Sequence, residues 1–145
     1  MVIQRLQTVF LLLAVILTAV FCATPFAYLA GVSAENPALA EVLPVYPSSS
    51  PAFLVLNIAI AVLLFVTIFL YKNLRLQIKV TLAAIVLLVA SAVTCGLIVY
   101  NNQPDMSLTF RGGILLLLTA IICTVWARIH MKRDLKLLTS YDRLR

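Results

Sequence analysis

At 145 residues the chain has room for a single domain. It is 63% hydrophobic and 11% charged, whereas soluble chains run near one quarter charged, so a soluble fold is excluded. Apolar surface on that scale in so short a chain has to lie in lipid. The net charge of +6 would suit nucleic acid, but basic residues in a membrane protein are distributed by the demands of insertion. Nucleic acid is not an expected partner.

The sequence predicts an all-α integral membrane protein, a four-helix transmembrane bundle with a basic cytoplasmic C-terminal helix. A short polar start with Arg5 leads into an uncharged run that predicts a first span over 6–30, too long for the apolar core of a cleaved signal peptide. Pro25 removes one backbone hydrogen bond and is expected to kink its outer third. Residues 31–51 hold four prolines (Pro37, Pro44, Pro47, Pro51), three consecutive serines and both glutamates, Glu35 and Glu41. Proline at that density blocks helix and central strand alike, which predicts an extended, solvated periplasmic loop. A second span is expected over 52–71 and a tight cytoplasmic connection with Lys72, Arg75 and Lys79 over 72–79. The third span covers 80–100, a short periplasmic loop 101–111, and the fourth and shortest span 112–127. Arg111 and Arg128 are expected to snorkel from the ends of that last span.

Counting charge over the short loops sets the orientation. The N-terminus, the 72–79 connection and the tail over 128–145 together carry ten of the eleven Lys and Arg residues, and the other side carries only Arg111. Positive residues resist translocation, so the positive-inside rule places the ten-residue side in the cytoplasm. An even number of spans then puts both termini there.

Ion and proton pathways need ionisable groups inside the spans, and the four expected spans contain none. A Cys-x-x-Cys pair is also lacking, so Cys22, Cys95 and Cys123 read as small buried hydrophobes. No catalytic constellation is visible and no cofactor is implied. The single histidine, His130, falls in the tail and reads as a solvated surface residue. Mild polarity remains. Asn57, Ser91, Thr94, Thr119 and Thr124 can hydrogen-bond across helices, and Ala92 with Gly96 forms a small-xxx-small pair that admits a close helix. Asn57 is the candidate intramembrane polar contact, serving either packing or a lipid, quinone or small-molecule cleft.

The tail concentrates chemistry. As a helix, 128–145 places Leu137, Tyr141 and Leu144 on one face, with Arg128, Lys132, Arg133, Lys136, Arg143 and Arg145 mainly elsewhere. Those six cations are candidate contacts for anionic lipid headgroups or a partner protein. Asp134 and Asp142 interrupt a purely electrostatic surface.

Two terminal motifs carry a resemblance. The opening Ile3-Gln4-Arg5-Leu6-Gln7-Thr8, running into a Leu-rich span, and the closing Lys132-Arg133-Asp134 through Ser140-Tyr141-Asp142-Arg143-Leu144-Arg145 are similar to the ends of a family of small four-span membrane proteins of Bacteroidota. That family is known only as a domain of unknown function. Leu135 departs from the pattern, standing where an acidic residue is expected. The resemblance implies a bacterial inner-membrane protein with four spans and both ends cytoplasmic, and it implies no activity. Because both motifs share one side, Gln4, Arg5 and Gln7 are candidate hydrogen-bond partners of the tail through Asp142. The expected function is non-catalytic: an accessory or scaffold subunit of a larger inner-membrane complex, docking through its tail, in contact with membrane lipids and a protein partner. The alternative is a lipid-, quinone- or small-molecule-binding carrier with a cleft near Asn57.

Overall fold

The computed structural model describes residues 2–32, 40–101, 107–110 and 112–143, with side chains over 6–27, 44–101 and 112–140. Four helices run up and down: α1 (Val2–Ala23), α2 (Pro51–Phe69), α3 (Leu74–Asn101) and α4 (Gly113–Arg143). Each neighbours the next, and α4 closes the ring against α1 in the most extensive contact of the bundle. All four are long and apolar enough to cross a membrane.

Each helix starts and stops for a local reason. The helical run from Val2 ends at Ala23, and Pro25 lies beyond it rather than kinking a span over 6–30. The residue before a proline is pushed out of the helical region, so Thr24 ends the helix, its amide bonded back to the Phe21 carbonyl at 3.3 Å. Pro51 opens α2 from its first turn, where the missing N–H costs nothing. The reversal between α2 and α3 takes a single 3-10 turn, Leu70–Lys72, plus Asn73. Arg75 and Lys79 therefore lie inside the first turns of α3, not in a 72–79 connection. The expected fourth span and tail form one uninterrupted helix of 31 residues, about 46 Å long.

The proline-rich segment departs from a solvated loop. After Pro25 the chain forms β1 (Ala27–Val32) and returns as β2 (Ala40–Val45), while β3 (Ser107–Phe110) joins from the α3–α4 connection. The three make an antiparallel sheet in the order β2-β1-β3. Pro44 is accommodated because β2 is an edge strand with no third neighbour to supply. The bundle thus carries a small sheet at the end away from its chain termini.

The inward positions follow steps of four and three. They are Gln7, Leu11, Ala14, Thr18 and Phe21 in α1, then Phe53, Asn57, Ile60, Leu64 and Thr67 in α2. The series continues through Gln77, Thr81, Ala84, Leu88, Ser91 and Cys95 in α3 and Leu117, Ala120, Thr124, Ala127, Met131 and Asp134 in α4. That is the 3.5-residue repeat of left-handed bundle packing. The outward faces are large and apolar, with Val9, Ile16, Val55, Phe65, Val86 and Leu115 each well exposed. In water such a surface would be a liability; in lipid it matches the solvent.

Under the sheet, Phe21, Phe26 and Phe53 close the bundle, with ring centroids 5.9–6.3 Å apart. The start of α4 presses against the chain leaving α1. A Cβ on Gly113 would stand 2.5 Å from the Pro25 carbonyl oxygen and 2.8 Å from Phe26 Cα, so only glycine fits.

Candidate functional site at the basic end of the bundle

The inward series of α3 and α4 ends, opposite the sheet, on polar residues. Gln7 is 4% exposed and Asp134 9% exposed, and the Gln7 amide donates to the Asp134 carboxylate. Next to them the Gln77 amide donates to the Thr67 carbonyl at 3.1 Å, and Thr81 lies 3.6 Å from Met131 Sδ while its hydroxyl bonds its own helix. From Gly113 to Asp134 the seam rises about 32 Å, close to the ~30 Å thickness of a hydrocarbon core. Asp134 marks the end of the described seam away from the sheet.

Among the described residues, Gln7 with Asp134 makes one contact between the first helix and the tail. The antiparallel register of α1 and α4 brings those two seam positions level, whereas Asp142 lies two turns further along α4. The side chains of Gln4, Arg5, Asp142 and Arg143, and the whole of Arg145, lie outside the described residues.

Beyond the seam, Lys132, Arg133 and Lys136 are exposed on α4. Arg128 is half-buried, and its Nε has no hydrogen-bond partner among the described residues. His130 is not simply solvated. Because α4 is continuous, it faces α1 and stacks on Phe10, with centroids 6.0 Å apart and planes 7° from parallel. Phe10 also meets Trp126 edge-on at 5.8 Å. Together with Ile129 and Arg133, these three rings line a groove of about 290 Å³ on the lipid-facing surface between α1 and α4.

Asn57 occupies the middle of the seam at 0% exposure. Its amide donates to the Phe53 carbonyl at 2.9 Å and its carbonyl oxygen accepts from Ser91 at 2.8 Å. Both polar ends are engaged in helix packing rather than turned to a cleft. Thr94, Thr119 and Thr124 do not bond across helices; each hydroxyl donates to the carbonyl four residues back, the usual local outlet for a helical threonine. A Cβ at Gly96 would meet nothing within 4 Å, so no helix of this chain closes there. Cys95 and Cys123 are buried and unbonded. Among the described residues no three metal-ligating side chains converge.

Sequence reasoning missed the seam carboxylate and the aromatic groove. The signal for the first was present: Gln7, Gln77 and Asp134 continue the four-and-three spacing of small and polar residues in their helices.

These features define a multi-pass membrane protein: four apolar helices wound around a small and polar seam, with a three-stranded sheet at one end. The chain belongs to DUF4293, a domain of unknown function, whose family model matches residues 3–144. No curated protein matches it.

Proposed function

We propose that the protein is a non-catalytic accessory or scaffold subunit of a larger inner-membrane complex, with both termini cytoplasmic, docking through the C-terminal end of α4. The observation that carries the reading is the course of that helix. It continues unbroken past Asp134, where the seam ends, and carries Leu137 and Leu138 out at 50% exposure each, beside Lys132, Arg133 and Lys136. A helix end needed only to close the bundle would stop with the seam. Two adjacent leucines on an exposed, otherwise polar helix supply apolar area for a partner, and the cations around them supply orientation. A carrier built around Asn57 would need its amide to face a cavity, and that amide is taken up by Phe53 and Ser91.

The test is affinity capture from native membranes in a gentle detergent, with the intact chain and with a chain ending at Lys136, which keeps the Gln7–Asp134 contact. A stoichiometric companion that is lost on truncation, is lost equally in Leu137→Glu/Leu138→Glu, and recovers this protein when itself tagged would establish docking. Recovery of the protein alone in every case would end the subunit reading. Orientation is checked separately by a cysteine placed at Ser140, which should react with an impermeant thiol reagent only after the inner membrane is opened.

A further inference from the structure

The groove between α1 and α4 combines two chemistries at two depths. Arg133 and His130 lie near the level of Asp134, at the end of the described seam away from the sheet. Trp126 lies seven residues deeper, about 10 Å along the helix. Phe10, Ile129 and Trp126 form an apolar wall below the charged rim, and the wall is open to lipid: Trp126 is 54% and Ile129 42% exposed. The stack of His130 on Phe10 and the edge contact of Phe10 with Trp126 fix the rings that shape it. A ligand entering from the bilayer would meet hydrocarbon first and positive charge last.

We propose that this groove is a binding site for one anionic phospholipid, its phosphate at Arg133 and His130 and the upper part of an acyl chain along Phe10, Ile129 and Trp126. Charge complementarity selects the anionic headgroup, since arginine presents a planar set of donors to phosphate oxygens. Aromatic rings suit the same depth, because their amphipathic faces settle at the headgroup level. The site shares Arg133 with the docking surface proposed above but not its leucines. Residues 137 and 138 lie beyond it on α4 and do not line it.

Trp126 is the only tryptophan of the chain, so its fluorescence reports this groove alone. The intact protein is placed in nanodiscs of phosphatidylcholine containing a rising fraction of either phosphatidylglycerol or phosphatidylcholine brominated high on the acyl chain, where bromine quenches an indole on contact. One arginine at a membrane surface favours an anionic lipid about fivefold. Half-maximal quenching by the anionic lipid is therefore expected at about one fifth of the mole fraction that the zwitterionic lipid needs. Arg133→Gln, at an exposed position that should not affect folding, brings the two curves together, and Arg133→Lys keeps most of the separation. Lys136→Gln, which removes the same charge outside the groove, leaves the preference in place. Coincident curves in the unaltered protein would overturn the proposal. So would an equal loss of preference in Lys136→Gln and Arg133→Gln, which would assign the effect to the charge of the tail as a whole.

Discussion

Replacing Gln7 and Asp134 by leucine, singly and together, tests whether the polar end of the seam holds α1 to α4 by a specific bond. Gln7→Leu leaves a carboxylate at 9% exposure without the amide that donates to it. Hydrogen bonds to charged groups contribute ~1.5–3 kcal/mol, and intramembrane side-chain bonds reach at most ~1.7 kcal/mol in mutant cycles. A loss of about 2 kcal/mol is expected. Asp134→Leu strands only a neutral amide and is expected to cost about 1 kcal/mol. In the double variant neither polar group remains at a position that the seam repeat directs inward, so two leucines pack there at little net cost, within ~0.5 kcal/mol of the original protein. Asp134→Asn retains an acceptor for Gln7 and should lose less than Asp134→Leu. The assay is reversible unfolding in bicelles or mixed micelles, followed by fluorescence transfer between α1 and α4. The single loss at Gln7 corresponds to a change of roughly 30-fold in the folding equilibrium, well within range. Simple additivity, with the double variant about 3 kcal/mol less stable, would refute the reasoning.

Gly113→Ala should destabilise by ~1–3 kcal/mol, because its Cβ would stand 2.5 Å from the Pro25 carbonyl oxygen, whereas Gly112→Ala, whose Cβ meets nothing within 4 Å, should be near neutral; thermal unfolding in detergent reads the difference. Arg128→Lys should stabilise the protein by about 1 kcal/mol, since a methylene replaces the buried, unpartnered Nε–H while the charge is kept; an unchanged or lower stability in the same assay would count against it. Ser91→Ala should cost about 0.6 kcal/mol, and in a chain that already carries Asn57→Leu the same change should cost nothing, because the partner of the Ser91 hydroxyl is gone.

The four spans could be read from the sequence because lipid imposes a length and a composition that few other environments do. The seam was harder to see. Hydrophobic periodicity marks a buried face when the opposite face is wet, but here both faces are apolar, and Leu11 inside α1 and Leu12 outside it look alike. What distinguishes the interior is smallness and polarity: Ala14 and Thr18 in α1, Asn57 in α2, Ser91 in α3, Ala120 and Thr124 in α4. The sheet escaped for another reason. Its third strand, β3, comes from a segment far from β1 and β2 in sequence, and Pro44 argues against a central strand without excluding an edge. The groove could not be seen because Phe10 and His130 meet only once the register of α1 against α4 is known.

That register also bears on why a carboxylate sits at the seam's end. Lysines and arginines mark topology by their number on each side, and an acidic residue among the cations of 128–145 adds little to that signal. Asp134 is placed where it does something else. It ends the buried series of α4 and bonds α1, and the described residues after Leu135, 136–140, are exposed. A leucine there would let the apolar seam run on, and the helix end would be held by packing alone, free to slide by a turn against α1. An acceptor bonded to Gln7 removes that freedom, in the way a single buried polar residue fixes register in a coiled coil. The part of α4 beyond Asp134 is then held in one register against α1, with Leu137 and Leu138 exposed at 50% each.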